Sequence, residues 1–381
     1  MSLHPVGLEL PGAGRAQAAS SGSDVSGRLG RSPEFVISER WAAGEPVGAV
    51  FQRVAERLAA EGAEVLGVML YASIAAREEI ERAMVEAMGA VAWPLTWVEG
   101  ASCDGAILAG VQVFAVSGSP VSRVRLGQRV VASVFDDGGA RHCLLGGLGP
   151  NSVALRAPAQ VQQMFGNLEC ALNLSGFELS DVIRTWFYND DILAWYGDFN
   201  RVRTEHYTGV KWRTGSLPAS TGVAGRNPAG AALAVAAWAM RPHAAGARAT
   251  EVASPLQCPA PSYGSSFSRA MEIDSGGWQR LFVSGTASIH PGGETAWIGN
   301  PKKQIDLTME VIAAILNARG MDFGHVTRAV AYFQHPLFTP HFDRWCEARQ
   351  LGGMPVVNVH CDICRDDLLF ELELDACARS E

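Results

Sequence analysis

The feature that most constrains this chain is an internal repeat. Placing Gln160 on Gln304 brings Asn173 onto Asn317, Gly176 onto Gly320, Val182 onto Val326, Arg184 onto Arg328 and Tyr188 onto Tyr332. Each copy reads as an amphipathic helix (residues 160–175 and 304–319), a glycine turn, a hydrophobic strand (182–188 and 326–332) and a second helix (193–207 and 340–349). A repeat this long, mixing helix with strand, implies related domains and excludes a solenoid, whose units are far shorter. Related half-sites in one chain place the chemistry in one copy or between copies.

At 381 residues the chain has room for roughly two to three domains. Hydrophobic residues make up 48% and charged residues 18%, a cored globular composition. The net charge of −8, with no Lys/Arg cluster, argues against a nucleic-acid partner, which needs clustered positive charge. No apolar run approaches the ~20 residues of a membrane span. Residues 1–34 are rich in Gly, Ser and Ala and lack the pattern of a signal peptide. They read as a disordered leader, and a cytoplasmic location follows by default. The eight cysteines are scattered, which favours free thiols. Cys361 and Cys364 have the spacing of half a zinc site, but no second pair completes it and the segment reads as strand, so no metal is expected.

The strand signals at 64–71, 106–116, 124–135, 141–147, 281–289 and 367–374 alternate with one-sided helices. Such alternation fits α+β layers with mixed sheets. The Gly/Pro-dense stretch 211–229 reads as a loop between an N-terminal domain (35–210) and a C-terminal domain (230–381) that carries the site.

Four motifs in order resemble the Rid (YjgF) superfamily and, within it, the chorismatases. The closing strand, from Asp362-Ile-Cys364-Arg-Asp-Asp-Leu through Glu371-Leu-Glu373, is similar to their D-I-C-R-x-D-L-L-x-E-x-E. Ser284-Gly285-Thr-Ala-Ser288 is similar to the family's S-G-T-A-S, Pro218-Ala-Ser-Thr221-Gly222 to P-A-S-T-G, and Tyr263-Gly with Phe267-Ser-Arg269 to Y-G…F-S-R. The resemblance covers about residues 155–376 and implies two tandem Rid-like α/β domains, with mixed sheets packed by helices. It further implies cofactor-free removal of the enolpyruvyl group of chorismate, giving a hydroxybenzoate and pyruvate for secondary metabolism.

Alternation puts Glu371 and Glu373 on one strand face, either as a solvated edge or as a pocket acid. In an apolar pocket a carboxyl stays protonated and acts as a general acid, the role the resemblance implies for Glu371. Cys364 reads as a small core residue. The resemblance pairs it with Gly285 as the mark of the branch that makes 3-hydroxybenzoate. Arg269 reads as a surface ion pair or as the grip on a carboxylate substrate. Tyr263, Thr221 and Gly222, with Tyr188, are the expected neutral substrate contacts. Arg184 and Arg328, at equivalent repeat positions, suggest a shared structural role.

Two departures mark a divergent branch: relatives continue the first-copy strand as W-N-Y where this chain has Trp186-Phe-Tyr188-Asn-Asp-Asp, and the 263–267 segment lacks an arginine. Rid deaminases carry an Arg where this chain has Val356, which argues against imine hydrolysis. Another enol or enamine substrate, or a non-catalytic ligand-binding protein, are the alternatives. The resemblance leaves monomer and trimer both open.

Overall fold

The computed structural model describes residues 32–42 and 44–380, so the leader expected at 1–34 lies almost wholly outside the described residues. In chain order the elements are β1 (Glu34–Glu39), α1 (Val47–Glu61), β2 (Ala63–Ala72), α2 (Arg77–Met88), β3 (Leu95–Val98), β4 (Ala101–Ser102) and β5 (Leu108–Ser117). There follow β6 (Ser122–Leu126), β7 (Arg129–Asp136), β8 (Ala140–Leu148), α3 (Ala157–Leu174), β9 (Val182–Asn189), α4 (Ile192–Tyr207), β10 (Ala219–Ala224) and β11 (Leu233–Pro242). The last group is β12 (Arg248–Val252), β13 (Ala270–Ser275), β14 (Trp278–Ala287), α5 (Pro301–Asn317), β15 (Val326–Phe333), α6 (Thr339–Glu347), β16 (Val356–His360) and β17 (Phe370–Arg379).

The architecture is mixed α+β, with mixed sheets packed by helices. Among the described residues three sheets are built, in the orders β1-β5-β2-β3, β10-β9-β11-β8-β7-β6 and β12-β13-β14-β17-β15-β16-β4. Each contains the same four-strand unit, two antiparallel pairings and then one parallel pairing; the parallel strand is an edge in the first two sheets, and in the third, β16, it is covered by β4 of the first unit. The two copies read from the sequence are the second and third units; residues 34–117 supply a unit of their own. Boundaries also differ from those expected at 210 and 230. The 211–229 stretch holds β10, which pairs in parallel with β9, and β11 closes the sheet of the second unit. The strand expected at 124–135 is a hairpin, because Gly127 at φ 60° turns the chain between β6 and β7.

Helices form where apolar residues recur at helical spacing and the ends are closed. In α5, the Asn300 side chain accepts from the Lys303 N–H at 3.1 Å and Pro301 fits the first turn. Ile305, Met309, Ile312 and Leu316 then face the sheet. On β17, Phe370, Leu372 and Leu374 pack beneath that helix, which turns Glu371, Glu373 and Asp375 the other way. The inner faces of all three units meet in one core that includes Tyr71, Phe114, Trp186, Tyr188, Trp238, Phe282 and Tyr332. Tyr71, Tyr188 and Tyr332 hold the same position in the three units, paired with Gly110, Ala234 and Glu371 respectively. The Tyr71 and Tyr188 hydroxyls are 3.0 Å apart.

Candidate active site

The second and third units abut along a seam between β10 and β14. The ladder of β14 with β17 shifts register between Val283 and Thr286, which withdraws the Gly285 N–H from the sheet. That N–H donates instead to Thr221 Oγ1 across the seam, at 3.0 Å. The Ser220 N–H donates to Ser284 Oγ at 2.8 Å beside it. A cavity of about 50 Å³ opens at this point, and among its walls are Glu371, Gly285, Gly222, Arg269, Arg203 and Cys364.

Glu371 is 5% exposed and accepts no hydrogen bond among the described residues. Burial pushes its carboxyl up to about 8, the Glu373 charge adds to this, and Arg184 and Arg269 oppose it. The group is therefore largely protonated at neutrality, with a proton to give. Its position depends on Gly285: a Cβ there would overlap the carboxylate and lie 3.2 Å from Thr221 Cγ2.

The cavity is also suited to an anion. Arg269, 4% exposed, donates Nε and one Nη to the Cys258 carbonyl at 3.0 and 2.9 Å, and its guanidinium packs against the Tyr263 and Phe267 rings. It has no carboxylate partner among the described residues. The surface ion pair considered from sequence is thus replaced by a buried, unneutralised cation. Arg203 is a second one. It is 1% exposed, packed against Phe199 and Phe267, bonded at one Nη to Asn200 Oδ1 at 2.6 Å, and its buried Nε has no partner among the described residues. Buried guanidinium groups are costly unless paired, so two of them facing one cavity call for carboxylates from a ligand. Sequence reasoning missed Arg203. The readable signal was an arginine one helical turn after Phe199, on the face of α4 that packs inward.

Cys364 stands beside Glu371, and its thiol is pushed up to about 12 by burial first and the Glu371 charge second. It is a neutral group here, in contact with Tyr196, a further wall residue missed from sequence. Tyr263 and Gly222 line the cavity, and Thr221 lies just behind it, against the Gly285 N–H. Tyr188 does not reach the cavity. Strand alternation in β9 sends its ring into the core shared by the three units, where its hydroxyl meets Tyr71.

Behind the site, Glu373 is fully buried and joins the second and third units, with Arg328 carrying the link on to the first. It accepts from Arg184 at 2.6 Å, from Thr221 Oγ1 and from Arg328. Arg328 in turn donates to Gln112 Oε1 at 2.7 Å and to Asp375 at 3.1 Å. The two repeat-equivalent arginines thus clamp one carboxylate.

No family model matches the chain. It is 30% identical over 227 residues to a 3-hydroxybenzoate synthase of Streptomyces hygroscopicus, covering 52% of this chain and 64% of that one. It is also 34% identical over 118 residues to a chorismatase of Streptomyces rapamycinicus, covering 28% and 35%. The chain therefore spans less than two thirds of the length of the curated relatives it matches. The crystal structure of a chorismatase superposes with a TM-score of 0.65 at 19% identity, over 91% of this chain and 99% of that one, which establishes a shared fold. No helix among the described residues is long and apolar enough to cross a membrane.

Proposed function

We propose that the chain is an enzyme acting on chorismate, converting it to 3-hydroxybenzoate and pyruvate without metal or cofactor. The observation that carries this reading is a buried, protonated Glu371 facing the same cavity as two buried arginines that have no carboxylate partner among the described residues. Chorismate is a dicarboxylate whose enol ether accepts a proton at carbon, so it suits both halves of that arrangement. The likeness to a 3-hydroxybenzoate synthase points the same way.

In the proposed reaction Glu371 protonates the methylene carbon of the enolpyruvyl group, and the ring C–O bond breaks as pyruvate leaves. The neighbouring ring hydroxyl closes on the vacated carbon and returns a proton to Glu371. The resulting arene oxide opens and loses its ring C–H proton to give the phenol. All atoms of chorismate reappear in the two products, and no water is consumed. Gly285 leaves the carboxyl room to approach, and the neutral Cys364 thiol gives an unreactive, water-excluding wall beside it. The position that grips a carboxylate in imine-hydrolysing relatives is Val356, packed in the core beneath α5, which disfavours that alternative. At about 50 Å³ the cavity is tighter than the roughly 300 Å³ at which ligand sites begin, so admission of substrate requires its walls to move apart.

The test is incubation with chorismate in chelator-treated buffer, following products by chromatography. Equimolar pyruvate and 3-hydroxybenzoate, lost in Glu371→Gln, is the expected outcome. Pyruvate with a dihydrodiol would overturn the choice of product, and no pyruvate would overturn the substrate.

A further inference from the structure

The seam that carries Glu371 has a counterpart between the first and second units. Across it the Gly147 N–H donates to Thr96 Oγ1 at 2.9 Å, just as Gly285 donates to Thr221 at 3.0 Å. Register extends the equivalence. Ala234 faces Tyr188 in the second unit as Glu371 faces Tyr332 in the third, so the position of the acid is occupied by a methyl group. The third seam is closed, since a Cβ on Gly110 would meet Val357 at 2.9 Å.

The counterpart seam is open. It holds a cavity of about 500 Å³, within the range of small-molecule sites and larger than the one at Glu371. Ala234 and Leu148 lie along it, with the Trp93 and Trp97 rings among its apolar walls. Trp93 is 7% exposed and its buried Nε1–H has no acceptor among the described residues, a donor left over in an otherwise satisfied wall. At the margin Arg129 is exposed, bonds only the Gly147 carbonyl at 3.1 Å and has no ion-pair partner among the described residues.

We propose that this seam binds a planar aromatic monocarboxylate and does not transform it. The ring would lie against Trp93 and Trp97, with the carboxylate against Arg129 and, once the Trp93 ring turns its buried N–H toward the cavity, against that donor as well; no acid stands at position 234 to react. The inference holds whatever reaction Glu371 carries.

It is tested by calorimetric titration of the full chain with benzoate, in wild type and in Trp93→Phe, Arg129→Gln and Arg269→Gln. The expected result is saturable binding that survives Arg269→Gln and weakens about tenfold or more in each of the other two variants, as loss of a hydrogen bond to a charged group predicts. Trp93→Phe keeps the ring, so thermal melting equal to wild type separates a lost contact from a lost fold. Absence of saturable binding at millimolar benzoate would overturn the proposal. So would binding that Arg269→Gln abolishes while Trp93→Phe and Arg129→Gln leave it unchanged.

Discussion

A carboxylic acid donates protons at neutral pH only while its surroundings keep it un-ionised, and Glu371 is held in that state by burial beside a second carboxylate. Two consequences follow at the scale of this residue. Turnover should fall as pH rises through about 8, because the acid is spent above that point; a flat kcat/KM from pH 6 to 10 would remove Glu371 from the role. Stability has the same sign. The folded carboxyl titrates above its ordinary value near 4.5, so between that value and about 8 the fold retains a proton that the unfolded chain releases, and stability declines as pH rises through the window. Glu371→Gln should therefore melt higher than wild type at pH 8, with the advantage vanishing near pH 4. Denaturation of both proteins at the two pH values checks it. Glu371 was legible because a motif surrounds it. Arg203 was not, because its role depends on α4 bringing it against a cavity whose other walls come from residues 285 and 371.

At the scale of elements, the site depends on a strand that breaks its own ladder. β14 leaves register with β17 at Gly285, and the freed N–H is taken up by Thr221 of another unit. Gly285→Ala places a methyl group where the Glu371 carboxylate lies. Displacing a reacting group by about 1 Å costs roughly 100-fold in rate, while the overpacking costs about 1–3 kcal/mol of stability. The expected variant is folded, with its loss in kcat, and near-wild-type turnover would show that the carboxylate is not confined by this glycine. Helices and strands with clear period, such as α5 and β15, were readable from sequence. The hairpin of β6 and β7 was not, since a single Gly127 inside an apolar run is compatible with a continuous strand. Nor was β10, where turn-forming residues are overruled by a parallel ladder and the seam.

On the scale of the whole molecule, the buried cluster around Glu373 ties β5, β9, β10, β15 and β17 together. Removing its central charge leaves two guanidinium groups buried without adequate compensation. Glu373→Gln is expected to cost about 3–5 kcal/mol in guanidinium denaturation, the usual effect of breaking a buried ion pair from one side. A loss below about 1 kcal/mol would mean that the three units hold together by apolar packing alone. The first unit escaped sequence reading because it shares a strand plan with the others and few residues: Gly67 stands where they have Arg184 and Arg328, and Gly110 where the third has Glu371.

The three tyrosines at the meeting of the units mark equivalent places, yet the surrounding seams have parted ways: one holds an acid, one is hollow, one is filled. In an assembly of identical subunits every substitution is made three times over, so a seam cannot lose its acid or open a cavity without its siblings doing the same. Threading the three units on one polypeptide lifts that constraint. Each seam can be inherited, altered or abandoned alone, and a single chain can hold a working copy and an experimental one side by side.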